Sequence, residues 1–265
     1  YYGYPLEHAS RVQRLVTSGH LGVGRVIREA DFDFISSPDS YGLRRLPSGH
    51  AFMYPVDSVL LHHKRPLLEN DIRNYIYHLT ADGSGSTVLS LAESINTNLR
   101  LSMLAAAHGA LQRYYAIPWS EGDDFFAPLE MILAIREHNA LLQKLVRLPL
   151  GSAEEVVFAF DPMSLTRAVE ISGGNEFLSN FTSQMRDTLP RTGRPVSYVV
   201  FSDLLENATL WKRMVIALPG LLDPGRLAQL ERALNRRLPT PDLNSGALVI
   251  TPQTIKLCEI GRAHV

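Results

Sequence analysis

YYAIPWSEGDDFF, residues 114–126, is the stretch that decides the predicted fold class. Aromatic residues lie on both sides of Gly122-Asp123-Asp124, and glycine beside aspartate favours a tight turn. The stretch therefore predicts a β-hairpin whose tip carries two carboxylates. Bulky aromatic residues seldom flank a plain solvated loop, so the pattern indicates a metal-binding turn.

A second set of acids precedes this hairpin in the segment Val23–Phe34. Its later residues alternate with the period of two that is typical of a β-strand: Ala30, Phe32 and Phe34 on one face, Glu29, Asp31 and Asp33 on the other. Carboxylates on two adjacent strands can bind a pair of divalent cations about 3.5–4 Å apart, and Mg²⁺ or Mn²⁺ prefers such oxygen ligands. We therefore expect the acidic strand to lie beside the hairpin.

The composition is that of an ordinary globular protein, with 265 residues, 45% hydrophobic and 20% charged. Lys plus Arg total 26 and Asp plus Glu total 27, so no global positive charge indicates a nucleic-acid partner. The single cysteine, Cys258, excludes a disulfide scaffold and a cysteine-based zinc site, and it suits a reducing compartment such as the cytoplasm. No apolar run reaches the roughly 20 residues that a membrane span needs, so we expect no membrane partner.

The remaining periodicity predicts a mixture of helices and strands. Helices are expected over Asp57–Leu79, Val88–Gln112, Pro128–Val146, Leu204–Ala217 and Pro224–Leu238, with Asp223 as the N-cap of the last. Strands are expected over Glu154–Phe160 and Ser197–Phe201, with a further hairpin at Gly173-Gly174. This mixture indicates an α+β fold.

The order of motifs resembles that of viral RNA-dependent RNA polymerases, especially those of totivirus-like and reovirus-like double-stranded RNA viruses. The resemblance covers about residues 25 to 180. It rests on the acidic segment Asp31–Asp39, the Ser84-Gly85 loop that enters a helix, the Gly-Asp-Asp hairpin, and Glu176-Phe177-Leu178. The Gly-Asp-Asp stretch is the most specific of these matches.

This resemblance implies a right-hand palm, an antiparallel sheet with packed helices, together with partial fingers and the start of a helical thumb. It implies template-directed RNA synthesis by two-metal nucleotidyl transfer, with Mg²⁺ or Mn²⁺ as cofactor. The implied partners are an RNA template and its nascent strand, nucleoside triphosphates and the viral capsid. The implied location is the host cytoplasm, within the viral particle.

The resemblance also implies roles for particular residues. The catalytic and metal-binding acids would be Asp33, with Asp31 as its rival, together with Asp123 and Asp124. The nucleotide would contact Asp39, Ser84, Gly85, Thr87 and Asn96, and the product strand would be gripped by Glu176, Phe177 and Leu178. Two features depart from the family pattern: Asn96 follows Ser84 at a longer interval than usual, and no lysine near Asp161–Ser164 can serve as general acid.

Three segments follow from this interpretation. Residues 1–190 would form the palm with finger elements, including a finger insertion at about 40–82, and residues 191–258 would begin the thumb. Residues 259–265, EIGRAHV, resemble a translated sequencing adaptor. Because the chain also opens without methionine, we expect it to be a fragment.

A rival hypothesis starts from two other acidic segments. Asp161-Pro162-Met163-Ser164 and Ser202-Asp203 each follow an apolar strand, as in a von Willebrand A-like metal-dependent binding module. A third alternative is a helical scaffold without chemistry. A polymerase requires Asp31 or Asp33 beside Asp123 on antiparallel strands, whereas the binding module would bring Asp161 to Asp203.

Overall fold

The fold is that of a computed structural model, in which the chain divides into two compact units. The first comprises Tyr1–Gly3, Phe32–Met53 and His63–Ser152, and the second Tyr4–Asp31, Tyr54–His62 and Ala153–Val265. The residues that the structure describes are 5–8, 12–43, 49, 52–72, 74–75, 88, 90–115, 126, 128–148, 156–164, 166–167, 184–207, 215–217, 223–237 and 248–250.

The regular structure of the described ranges includes the helices and strands given below, together with helical residues at 162–164 and 166–167 and two short 3-10 helices, His20–Gly22 and Tyr41–Leu43. The helices are α1 Pro5–His8, α2 Val12–Thr17, α3 Val23–Glu29, α4 Val56–Leu61, α5 Leu91–Ala107, α6 Leu129–Leu145, α7 184–191, α8 Phe201–Glu206 and α9 Pro224–Arg237. The strands are β1 Phe34–Pro38, β2 Arg65–Asn70, β3 Leu111–Tyr114, β4 Val156–Phe160, β5 Val196–Val200, β6 Val215–Ala217 and β7 Leu248–Ile250.

The first unit contains a parallel sheet in the order β1-β2-β3. Helix α5 begins at a capping box, because the Ser90 hydroxyl accepts a 3.1 Å hydrogen bond from the backbone N–H of Glu93. Helix α6 packs on α5. Between them, Phe126 and Met131 are buried against Leu91, Ile95, Tyr114 and Ile135.

The second unit contains a parallel sheet in the order β5-β4-β6-β7. All five residues of β4 are buried, as expected of a parallel strand that is covered on both faces. Helix α4 lies along β5, where the Asp57 carboxylate accepts from the Tyr198 N–H at 2.6 Å and the Ser58 hydroxyl from the Val200 N–H at 2.8 Å. These two side chains therefore supply hydrogen-bond acceptors to backbone N–H groups on the outer edge strand of the sheet.

The mixture of helix and strand that the sequence predicts is confirmed, but the strand direction is not. Every described strand pair is parallel, whereas the palm prediction requires an antiparallel sheet. Parallel neighbours need long crossover connections, usually helical. The connections β2–β3, β4–β5, β5–β6 and β6–β7 do contain helices, namely α5, α7, α8 and α9.

Three predicted elements are wrong in part. The predicted strand Val23–Phe34 is helical as far as Glu29, because Val23 and Ile27 are buried with helical spacing. The predicted helix Asp57–Leu79 ends at Leu61, and His63 with φ 59° precedes β2. The predicted helix Leu204–Ala217 ends at Glu206, and its last three residues are strand β6.

Several locally encoded elements are confirmed. Helices α5, α6 and α9 and strands β4 and β5 lie within one to five residues of their predicted bounds. Asp223 caps α9, since its carboxylate accepts a 2.9 Å hydrogen bond from the Arg226 N–H.

The expected boundary at residue 190 falls inside the second unit, because β4 and β5 on either side of it are hydrogen-bonded neighbours. The described residues of 191–258 include strands β5, β6 and β7 as well as helices α8 and α9.

His138 on helix α6 should make the stability of the protein depend on pH. Its side chain is buried, and this burial lowers its pKa. The unfolded chain therefore binds this proton more tightly than the folded one, so the free energy of unfolding falls as the pH drops below about 6.5. His138→Leu should remove that loss, making stability less pH-dependent between about pH 7.5 and 5 in urea titrations.

The matched control is His63→Asn, an exposed position whose left-handed backbone asparagine tolerates. It should leave the pH dependence as in the wild type. An equally steep pH dependence in His138→Leu and the wild type would contradict the assignment.

Candidate functional site

Several residues with predicted roles lie outside the described part of the chain. They are Ser84, Gly85, Thr87, Gly122, Asp123, Asp124, Glu176, Phe177 and Leu178. Their metal-binding, nucleotide-binding and product-binding roles therefore stay predictions.

Asp31 and Asp33 precede β1 and are exposed. The Asp33 carbonyl accepts a 2.9 Å hydrogen bond from the Arg65 N–H, at the point where β2 begins. Both acids are thus at the amino end of the parallel sheet. At about 3.3 Å per residue, Asp33 and Asp39 are roughly 20 Å apart along the strand.

Asp39 lies at the opposite, carboxyl edge of the same sheet. Its N–H donates to the Glu69 carbonyl at 3.2 Å, and the Tyr115 N–H donates to the Asn70 carbonyl at 2.9 Å. Asp71 follows β2 at the same edge, and both it and Asp39 are buried. Asp39, which follows β1, Asp71, which follows β2, and Tyr115, which follows β3, therefore all lie at this edge.

The aromatic-flanked stretch, residues 114–126, is anchored at this edge by both of its ends. Tyr114 ends β3, and its ring contacts the Phe126 ring edge to face with centroids 5.4 Å apart. The residues between these two aromatics include Gly122-Asp123-Asp124. The two aromatic rings at the ends of this stretch therefore pack against each other.

An asparagine pair joins helix α5 to the carboxyl edge. Asn70 donates to the Asn98 side-chain oxygen at 2.6 Å, and Asn98 donates to the Ser94 carbonyl at 2.8 Å. Asn96, the predicted ribose sensor, is exposed on the other side of the helix, because two residues rotate the side chain by about 200°. Asn98, which sequence reasoning missed, is the α5 amide that reaches the sheet.

The other carboxylate at this edge, Glu69, is already neutralised. Arg113 on the neighbouring strand donates to one Glu69 oxygen through Nε at 2.9 Å and also through Nη2. Asp39 and Asp71 are the other acids among the described residues of this edge, and each has interactions of its own within the protein. Asp39 was predicted from the sequence, whereas Asp71 was missed; its position directly after the strand Arg65–Asn70 is the signal that could have identified it.

The second unit carries the acids of the rival hypothesis at the carboxyl edge of its own sheet. Asp161 and Ser202 follow β4 and β5, which are adjacent with Phe160 opposite Val200. Asp161 accepts hydrogen bonds from the Ser164 hydroxyl and the Met163 N–H and pairs with Arg226 Nη1 at 2.9 Å. Burial raises the pKa of Asp161, while these partners oppose the rise.

Asp203 does not turn toward Asp161. It is fully buried, and its Oδ1 lies 2.9 Å from Nε2 of His62. Each acid of the rival site is thus bonded to protein groups of its own. Over the ranges that the structure describes, no three Asp, Glu, His or Cys side chains come together as a metal-binding group.

The helices that the structure describes include none long and apolar enough to cross a membrane.

Comparison with known proteins adds no relative: the chain matches no protein-family model, and no curated protein and no solved structure is significantly similar to it.

Proposed function

We propose that the protein is an RNA-directed RNA polymerase that joins nucleotides by two-metal nucleotidyl transfer. The observation that carries the proposal is the order of its motifs: an acidic segment, a Ser-Gly loop entering a helix, and Gly-Asp-Asp between aromatic residues. The packing of Tyr114 on Phe126 at the acidic sheet edge supports it.

Asp39 is the acid best placed to act with Asp123. It follows β1 at the sheet edge where β3 ends, and the chain continues from β3 toward Asp123 in sequence. Asp33 lies at the other end of β1. We therefore propose Asp39, in place of Asp33 or Asp31, as the partner acid.

The chemistry of this donor set fits Mg²⁺ or Mn²⁺. Asp39, Asp71, Asp123 and Asp124 offer carboxylate oxygens, and Asn70 and Asn98 add amide oxygens. Hard divalent cations prefer these ligands. Such ions, when bound, would favour deprotonation of the attacking 3′-hydroxyl and would stabilise the negative charge of the phosphates in the transition state. The protein's own part is to position the carboxylates and to hold helix α5 against the sheet through the asparagine pair.

An RNA-synthesis assay with the protein expressed from its complete reading frame tests this proposal. Asp39→Asn should reduce nucleotide incorporation by about 10³-fold, because each lost metal contact raises the barrier by several kcal/mol. Asp33→Asn and Asp31→Asn, at exposed positions, should stay within about threefold of the wild type. The three variants carry the same chemical change.

The results of this assay distinguish a wrong choice of partner acid from a wrong polymerase proposal. Loss of activity in Asp33→Asn with retention in Asp39→Asn would refute the choice of Asp39 and leave the polymerase proposal intact. Absence of template-dependent incorporation by the folded wild type, with either Mg²⁺ or Mn²⁺, would refute the polymerase proposal itself.

A further inference from the structure

A cavity of about 160 Å³ opens at the carboxyl edge of β4 and β5 in the second unit. Ligands of open parallel sheets bind at this edge, where the strands end and the loops begin. Pockets for drug-sized ligands measure about 300–1,000 Å³, so this cavity suits a smaller group. Its charged lining residues are Asp161, Arg25, Arg28 and Arg226.

Arg226 is the most firmly positioned cation of the cavity. Its Nη1 pairs with Asp161 at 2.9 Å, its Nε lies 3.8 Å from Asp223, and its guanidinium carbon lies 5.6 Å from the centroid of the Phe201 ring. These contacts use two of the three guanidinium nitrogens. A guanidinium held from three sides loses little entropy when an anion binds to its remaining edge.

Arg25 and Arg28 approach the cavity from α3, where a separation of three residues places them on one face. Arg25 pairs with Glu29 at 2.8 Å and Arg28 with Glu206 at 3.0 Å. Both pairs are substantially exposed, and such pairs contribute little stability because water competes with them. The two arginines can therefore turn to a ligand at small cost.

The charge of the cavity lining favours an anion. Three arginines and one aspartate line the cavity, and that aspartate is already bonded to Ser164 and Arg226. The carboxylates that pair with these arginines from outside the lining are Glu29, Glu206 and Asp223. Gly24 adds no side chain, and a Cβ there would lie 3.4 Å from Val200 Cγ2. Helix α3 therefore approaches the end of β5 closely at Gly24, and Ser202 also lines the cavity.

We propose that this cavity binds the phosphoryl group of a small phosphomonoester or of inorganic phosphate. The oxygens of a phosphoryl dianion can accept hydrogen bonds from all three guanidinium groups, and arginine recognises such oxygens through paired N–H donors. The apolar wall, which includes Phe160 and Met163, would contact the organic part of an ester. The proposal is independent of polymerase activity, since every residue that carries it lies in the second unit.

Isothermal titration calorimetry on the 265-residue chain tests the site, with inorganic phosphate and adenosine monophosphate as separate probes at low salt. Wild-type protein should bind at least one probe with a Kd of about 20 mM or below. Arg25→Gln/Arg28→Gln should weaken binding at least about tenfold, since two cations near the dianion are lost.

The matched control is Arg191→Gln, which removes an arginine in the same kind of exposed i,i+4 pair, with Asp187. It should bind within about twofold of the wild type, because Arg191 is not a lining residue. Arg226→Gln should also weaken binding, but it leaves Asp161 buried without its cation. The Arg25/Arg28 variant is therefore the decisive one.

Equal affinity for the two probes would identify inorganic phosphate as a sufficient ligand. Tighter binding of adenosine monophosphate would show that the apolar wall contributes. No heat of binding for either probe with folded wild-type protein would overturn the proposal. So would an equal loss of affinity in Arg191→Gln and Arg25→Gln/Arg28→Gln, because binding would then follow overall charge alone.

Discussion

Asp123→Ala, in the protein expressed from its complete reading frame, is expected to abolish RNA synthesis to about 10³-fold below wild type or lower. The reason is chemical: a two-metal reaction depends on carboxylates that hold both ions, and alanine has no oxygen ligand. Folding should be unaffected, because Gly122-Asp123-Asp124 has the composition of a turn. Nucleotide incorporation on an RNA template measures the activity, and circular dichroism measures the fold.

The control for Asp123→Ala is Asp187→Ala, which removes an aspartate that pairs with Arg191 on an exposed helix face. It should retain wild-type incorporation. Asp123→Ala with near-normal activity would end the polymerase proposal. Loss of activity together with loss of secondary structure would instead show that the turn is a folding element and would contradict its proposed metal-binding role.

Asp203→Ala is expected to lower the free energy of unfolding by about 2–4 kcal/mol, because it removes the buried partner of His62. The carboxylate is fully buried at the start of α8. The metal-binding hypothesis for Asp203 makes the opposite prediction. Removing one acid from a metal-free acidic site relieves repulsion and raises stability.

Urea unfolding in the presence of a chelator measures this change, since a bound ion would otherwise contribute to the folded state. The control is again Asp187→Ala, whose exposed pair with Arg191 should cost about 0.5 kcal/mol or less. A stability equal to or above that of the wild type in Asp203→Ala would favour the metal-binding hypothesis over a structural role.

The acids of the first unit illustrate the limit of sequence periodicity. Alternation over residues 29–34 predicted a strand, but Glu29 ends helix α3 and the strand begins only at Phe34, so Asp31 and Asp33 precede it. A shift of a few residues in the start of a strand moves an acid from one sheet edge to the other. Asp39, which the sequence placed near the nucleotide, is the acid that shares an edge with Asp71 and Tyr115.

The amides of α5 show the same limit for helices. The sequence located the helix well, because its capping box and apolar spacing are local signals. It could not distinguish Asn96 from Asn98, since either can face the sheet until the packing partner is known. Only the hydrogen bond between Asn98 and Asn70 identifies the side that is buried.

The stretch YYAIPWSEGDDFF by itself predicted a turn rich in acids and determined that aromatic residues stand on either side of these acids in the chain. Tertiary structure decided that Tyr114 and Phe126 pack on each other and that β3 runs parallel to β2. Turn and helix propensities depend on neighbours within about four residues, so a sequence contains them directly. Strand direction and the sharing of a sheet edge depend on pairing between residues about 30 to 45 positions apart, which only the folded chain selects.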